Sequence, residues 1–251
     1  MKSIIVNLAV LYVIVLSTLY FLQRQFLYYP QHASNVFGEM NIHFVVDDIP
    51  LSGWVLNEGQ SEALIYYGGN AESIEANIPF FKAVTPNYTV YLIPYRGYGN
   101  NPGTPSEDVL YSDAIQIFQS VKSKHDSVSI MGRSLGSGVA TFVAAHQPVD
   151  KLILVTPFDS IENVAKDVYW MFPVSTMIKD RFRSLDRVKE ITSTTYIFIA
   201  EEDQVITRTR TDQLIAEFGD QLSEVFVIRS AGHNTISEYP DYVSGLKRAL
   251  N

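Results

Sequence analysis

The chain has 251 residues, of which 47% are hydrophobic and 18% charged, with no cysteine. That length suits one α/β domain with a full core, and the apolar fraction excludes a globally disordered chain. Acidic residues outnumber basic ones 27 to 19, a net charge of −8, and no basic patch stands out, so a nucleic-acid partner is excluded. Without cysteine there is no disulfide, no thiolate metal site and no thiol nucleophile.

The first element is residues 4–22, a run without charge interrupted only by Asn7, Ser17 and Thr18. A helix of that length spans about 28 Å, close to the hydrocarbon core of a bilayer. Gln23-Arg24-Gln25 closes the run, and Phe26, Tyr28 and Tyr29 stand where an interfacial aromatic belt would sit. A cleaved signal peptide needs small residues at its end, but here the run finishes on Leu19-Tyr20-Phe21-Leu22. The reading is therefore a single-pass anchor over residues 1–26 and a catalytic domain over 27–251. Lys2 and the α-amino group stand against Arg24 alone, which favours a domain on the non-cytosolic side.

Beyond Pro30, short β-branched and aromatic runs alternate with helical patterns. Segments 42–46 and 51–56 read as an antiparallel pair at a sheet edge. Segments 63–67, 88–93, 127–131, 151–155, 195–199 and 225–229 are nearly continuous apolar runs, as parallel strands covered on both faces require. Helices are expected over 106–121, 134–146, 207–218 and 237–250. Residues 159–191 form an insertion, and Tyr169, Trp170, Met171, Phe172 and Met177 give it more apolar bulk than a connection needs. The expected fold is thus an eight-stranded, mostly parallel sheet sandwiched by helices, with a short lid and an N-terminal transmembrane helix.

Gly132-Arg133-Ser134-Leu135-Gly136 lies between the fifth strand and the following helix. A Gly-x-Ser-x-Gly sequence in that setting is a nucleophile elbow, whose flanking glycines let strand and helix approach. A hydroxyl is a poor nucleophile at neutral pH, so Ser134 needs a base and the base an orienting acid. Of the five histidines, His32, His43 and His125 precede Ser134, and His146 ends the helix that Ser134 begins. His233, on the Ala231-Gly232-His233-Asn234 turn after the last strand, remains as the base. Asp203, in Glu201-Glu202-Asp203 after the seventh strand, is the expected acid, with Glu202 second. Oxyanion donors are expected from the Leu135 N–H and from the Gly68-Gly69-Asn70 loop, Asn70 before Gly69. No His-x-x-x-His pattern occurs, and the chemistry calls for neither metal nor cofactor.

Leu51-Ser52-Gly53-Trp54, Gly69-Asn70-Ala71, Tyr95-Arg96-Gly97-Tyr98-Gly99, Pro105-Ser106-Glu107 and the elbow follow in order, with Glu202-Asp203 and Gly232-His233-Asn234 after them. Across most of 27–251 the chain resembles the α/β-hydrolase superfamily, and within it small single-pass serine hydrolases whose eukaryotic members include protein depalmitoylases. It departs at Gly68, where a histidine is common, and at Asn101, where a serine usually follows the glycine-rich loop. The resemblance implies hydrolysis of a carboxylic ester or thioester, acyl or lipid-borne, through an acyl-serine. A serine peptidase or a catalytically idle membrane-tethered scaffold would share the fold.

Overall fold

A computed structural model describes residues 2–251 of the chain, so Met1 of the expected anchor lies outside the described residues. Helix α1 spans Lys2–Tyr28, and strands β1 (Ile42–Val46) and β2 (Ile49–Leu56) follow. Then come β3 (Glu62–Tyr67), α2 (Ile78–Val84), β4 (Thr89–Leu92), α3 (Glu107–Lys122), β5 (Ser127–Arg133) and α4 (Leu135–His146). The last third comprises β6 (Lys151–Val155), α5 (Ile161–Val168), α6 (Val174–Met177), β7 (Thr194–Ala200), α7 (Arg208–Phe218), β8 (Leu222–Ile228) and α8 (Pro240–Leu250).

The eight strands form one sheet in the order β1-β2-β4-β3-β5-β6-β7-β8. The β1–β2 and β2–β4 pairs are antiparallel, Ile42 standing opposite Gly53 and Trp54 opposite Leu92. The remaining pairs are parallel and right through the core: Leu64, Ile130, Leu152, Ile153 and Ile197 are fully buried. Two apolar layers result, one on each face of the sheet. Continuous hydrophobicity in β3, β5 and β6 is the consequence of that double cover.

Helix α2 was not expected from the sequence, β2 and β8 begin two and three residues early, and three further differences bear on the site and its surroundings. Helix α8 begins at Pro240 rather than 237, because proline is preorganised for the first helical position while 236–238 form a separate 3₁₀ turn. The insertion folds as two short helices and a 3₁₀ segment at Leu185–Glu190. Helix α1 continues through Gln23, Arg24 and Gln25 to Tyr28, so residue 26 falls inside it.

That continuation has a packing cause. Arg24 Nε and Nη2 donate to the Asp180 carboxylate at 2.8 and 3.1 Å, and Gln23 donates to the Met177 carbonyl and accepts from the Lys179 N–H. Further back, the Tyr12 ring stacks on Phe172 at 5.2 Å. Tyr28 is fully buried against Phe182. Taken whole, helix α1 is long and apolar enough to cross a membrane by length and composition.

Candidate active site

β5 delivers Ser134 to the carboxyl edge of the sheet, where φ is +49° and ψ −117°. A non-glycine residue holds such a conformation only when its surroundings impose it. Here the Ser134 N–H donates to the Val155 carbonyl at 2.9 Å, and the Ser137 hydroxyl and N–H both return to the Ser134 carbonyl. The elbow glycines answer a steric demand: a Cβ on Gly132 would strike the Gly136 carbonyl, and one on Gly136 would strike the Tyr67 backbone.

The turn after β8 brings His233 over the same edge. Its Nε2 lies 2.9 Å from Ser134 Oγ, and its Nδ1 lies 2.8 Å from Asp203 Oδ2. A carboxylate at Nδ1 fixes the proton there, which leaves Nε2 free to accept from the hydroxyl. Asp203 is itself oriented, since its Oδ1 accepts from the N–H groups of Val205 and Ile206, both at 2.8 Å. Ser134 and His233 are buried, and so is the Asp203 side chain. Glu202 is exposed and takes no part. His43, His125 and His146 are engaged elsewhere, with Ser52, Tyr91 and the Phe142 carbonyl.

The glycine loop after β3 faces Ser134, with a Gly69 Cβ position 3.7 Å from Ser134 Cβ. Its two candidate donors are not equivalent. The Gly69 N–H donates to Glu72 Oε2 at 2.5 Å, whereas among the described residues the Asn70 N–H has no partner. Leu135, as the first residue of α4, has no intrahelical acceptor for its N–H. The unengaged donors flanking Ser134 are therefore those of Leu135 and Asn70, with Gly69 committed to the loop's own support.

That support comes from residues the sequence did not single out. Glu72 Oε1 accepts from the Tyr66 hydroxyl at 2.8 Å and from Asn77 Nδ2 at 2.7 Å. Burial, reinforced by the neighbouring Glu72 charge, raises the Tyr66 pKa, so its phenol stays a donor. Tyr95 donates to the Gly68 carbonyl, and its buried phenol is likewise held protonated. Arg133 Nη2 donates to the His233 carbonyl at 3.2 Å; burial works against its charge, but its surroundings, the Glu72 carboxylate among them, raise its pKa. At the other side of the loop the Ala71 N–H donates to the Tyr28 carbonyl, which also accepts from the Tyr98 hydroxyl. A cleft of about 320 Å³ opens above Ser134, with Asn70, Asn77, Arg133 and Asn234 on its polar walls.

No family model matches the chain. An uncharacterised protein of Mycobacterium tuberculosis is 28% identical over 227 residues, covering 84% of this chain and 80% of that one. The lysophosphatidylserine lipase ABHD12 of Xenopus tropicalis is 32% identical over 166 residues, 57% of this chain, and the match spans only 43% of the lipase. Among solved structures, the Pyrococcus furiosus esterase Pf2001 superposes with a TM-score of 0.69 at 18% identity, covering 84% of this chain and 91% of the esterase.

Proposed function

We propose that this chain, which has the α/β-hydrolase fold, is a member of that superfamily and a serine hydrolase of carboxylic esters or thioesters, a reading that its esterase and lipase likenesses support. The observation that carries the reading is the position of His233, within hydrogen-bond reach of both Ser134 Oγ and Asp203. In the proposed reaction Ser134 Oγ attacks the substrate carbonyl while its proton passes to His233 Nε2. The tetrahedral oxyanion is met by the N–H groups of Leu135 and Asn70, fixed donors aimed where charge develops. His233 then gives the proton to the departing alcohol or thiol, leaving an acyl-Ser134. Water, deprotonated by the same imidazole, releases the acid and restores the hydroxyl. Asp203 holds the Nδ1–H tautomer and offsets the imidazolium charge throughout.

The test is labelling of the full chain with a fluorophosphonate probe. Wild type should label, and Ser134→Ala and His233→Ala should not, with the same thermal unfolding temperature within a few degrees. A folded wild type that refuses the probe would move the reading to a binding scaffold.

Helix α1 is proposed as a single-pass anchor for the domain, supported by its uncharged run and its exposed apolar surface. The ABHD12 relative supports a lipid-borne ester among the candidate substrates, since its name makes it a lysophosphatidylserine lipase.

A further inference from the structure

An apolar crevice of about 370 Å³ runs between α1 and the insertion, within the size range of small-molecule sites. Leu19, Phe26 and Leu27 form one wall, and Val164, Val168 and Phe172 the other. Of its polar side chains, Gln23 is held by the Met177 carbonyl and Lys179 N–H and Asp180 by Arg24, which leaves the Tyr169 hydroxyl. The crevice therefore offers mainly dispersion contacts, with one phenol among its aliphatic and aromatic walls.

At one end the crevice meets the segments that build the candidate site. Leu27 precedes Tyr28, whose carbonyl holds the Ala71 N–H beside Asn70. Val205 also lines the crevice, and its N–H holds the Asp203 carboxylate. At the other end Phe172 stacks on Tyr12, near the middle of the uncharged run of α1. From Tyr12 to Leu22 is about 15 Å of helix, so this end sits at the depth of a bilayer interior if α1 crosses it. Beside it Val168, Tyr169, Trp170 and Met171 are exposed, Trp170 by 77%. Four large apolar side chains in a row do not face water without cost, and where α1 crosses a bilayer they would face lipid.

We propose that this crevice takes the acyl chain of a membrane-borne ester, which enters sideways from the bilayer between α1 and α5 and presents its carbonyl to Ser134. The proposal rests on the serine-hydrolase reading and adds the substrate's chemical class and route. A polar head would then lie in the cleft lined by Asn77, Arg133 and Asn234.

The experiment uses the full chain in phosphatidylcholine nanodiscs and a fluorophosphonate carrying a sixteen-carbon chain that ends in a diazirine. After attachment to Ser134 the sample is irradiated and the cross-linked peptides are identified by mass spectrometry. Adducts should fall in segments 161–178 and 19–27, and Ala165→Trp, which fills the crevice from α5, should lower their yield at least fivefold relative to attached probe. A probe attached to Ser134 whose adducts lie elsewhere, or whose diazirine is consumed only by lipid or water, overturns the crevice and leaves the hydrolase reading standing. Absence of attachment to a folded chain overturns the hydrolase reading itself. Should Ala165→Trp fail to fold, the wild-type adduct positions decide alone.

Discussion

Ser134 sits at φ +49°, a conformation costing of order 1–3 kcal/mol, and the loop opposite it is held by a carboxylate. Glu72 accepts from Tyr66, Asn77 and the Gly69 N–H together, which an amide could do only by turning its NH₂ toward a donor. Glu72→Gln should therefore lower the rate of fluorophosphonate labelling by about 10- to 100-fold at a stability cost of about 1–3 kcal/mol, the range for one unsatisfied buried group. Labelling at the wild-type rate would remove Glu72 from the positioning of Asn70. Ser134, Asp203 and His233 could be picked out of the sequence because, with His146 set aside at the far end of the helix that follows Ser134, one histidine remains downstream, with a short acidic loop between. Glu72 and Arg133 were not, because a carboxylate three residues past a glycine pair reads the same whether it is solvated or buried. Their roles depend on Tyr66 and on the turn at His233, which only the folded sheet brings near.

The insertion is held as a unit by one carboxylate. Glu162 on α5 accepts from Arg181, Arg183 and Lys166. Burial opposes its ionisation, but the hydrogen bonds from Lys166, Arg183, Ser175 and Arg181 prevail and bring its pKa down to about 2. A depressed folded pKa means that the stabilisation is complete above the ordinary carboxylate range near 4.3 and is lost as pH falls toward about 2. Thermal unfolding followed from about pH 5 down to about 2 should show that loss in the wild type and a flatter profile in Glu162→Gln. Parallel profiles would show that Glu162 does not anchor the insertion. The apolar bulk of 159–191 was visible in the sequence, but this ionic hub was not. It joins Glu162 to arginines 19 and 21 residues away, a spacing no helical periodicity encodes.

Over the whole molecule, the number of strands, their mostly parallel run and the antiparallel pair at one edge followed from the hydrophobic runs, whereas the crossover that sets β4 between β2 and β3 did not, since hydrophobicity carries no neighbour information. The way α1 enters the domain did not, because an uncharged run reads the same whether or not part of its length is packed on protein. Tyr28 ends that helix fully buried, and Tyr28→Ala should cost about 3–5 kcal/mol, as other large-to-small aromatic core changes do. The same variant should unfold at a lower temperature while still labelling with fluorophosphonate below its transition. A shift of under one degree would mean that α1 ends outside the folded core.

The helix reaches the domain with no linker, and its final carbonyl is bonded to the Ala71 N–H next to Asn70. A flexible stalk would let an enzyme sweep a volume above its membrane; a rigid post has no reach. Anchored in this way, Ser134 would patrol a single plane at a set height, meeting esters by two-dimensional diffusion and passing over any whose carbonyl lies deeper or shallower. Exchange of α1 for an unrelated anchor would then change which bonds are cut, and not merely where the protein resides.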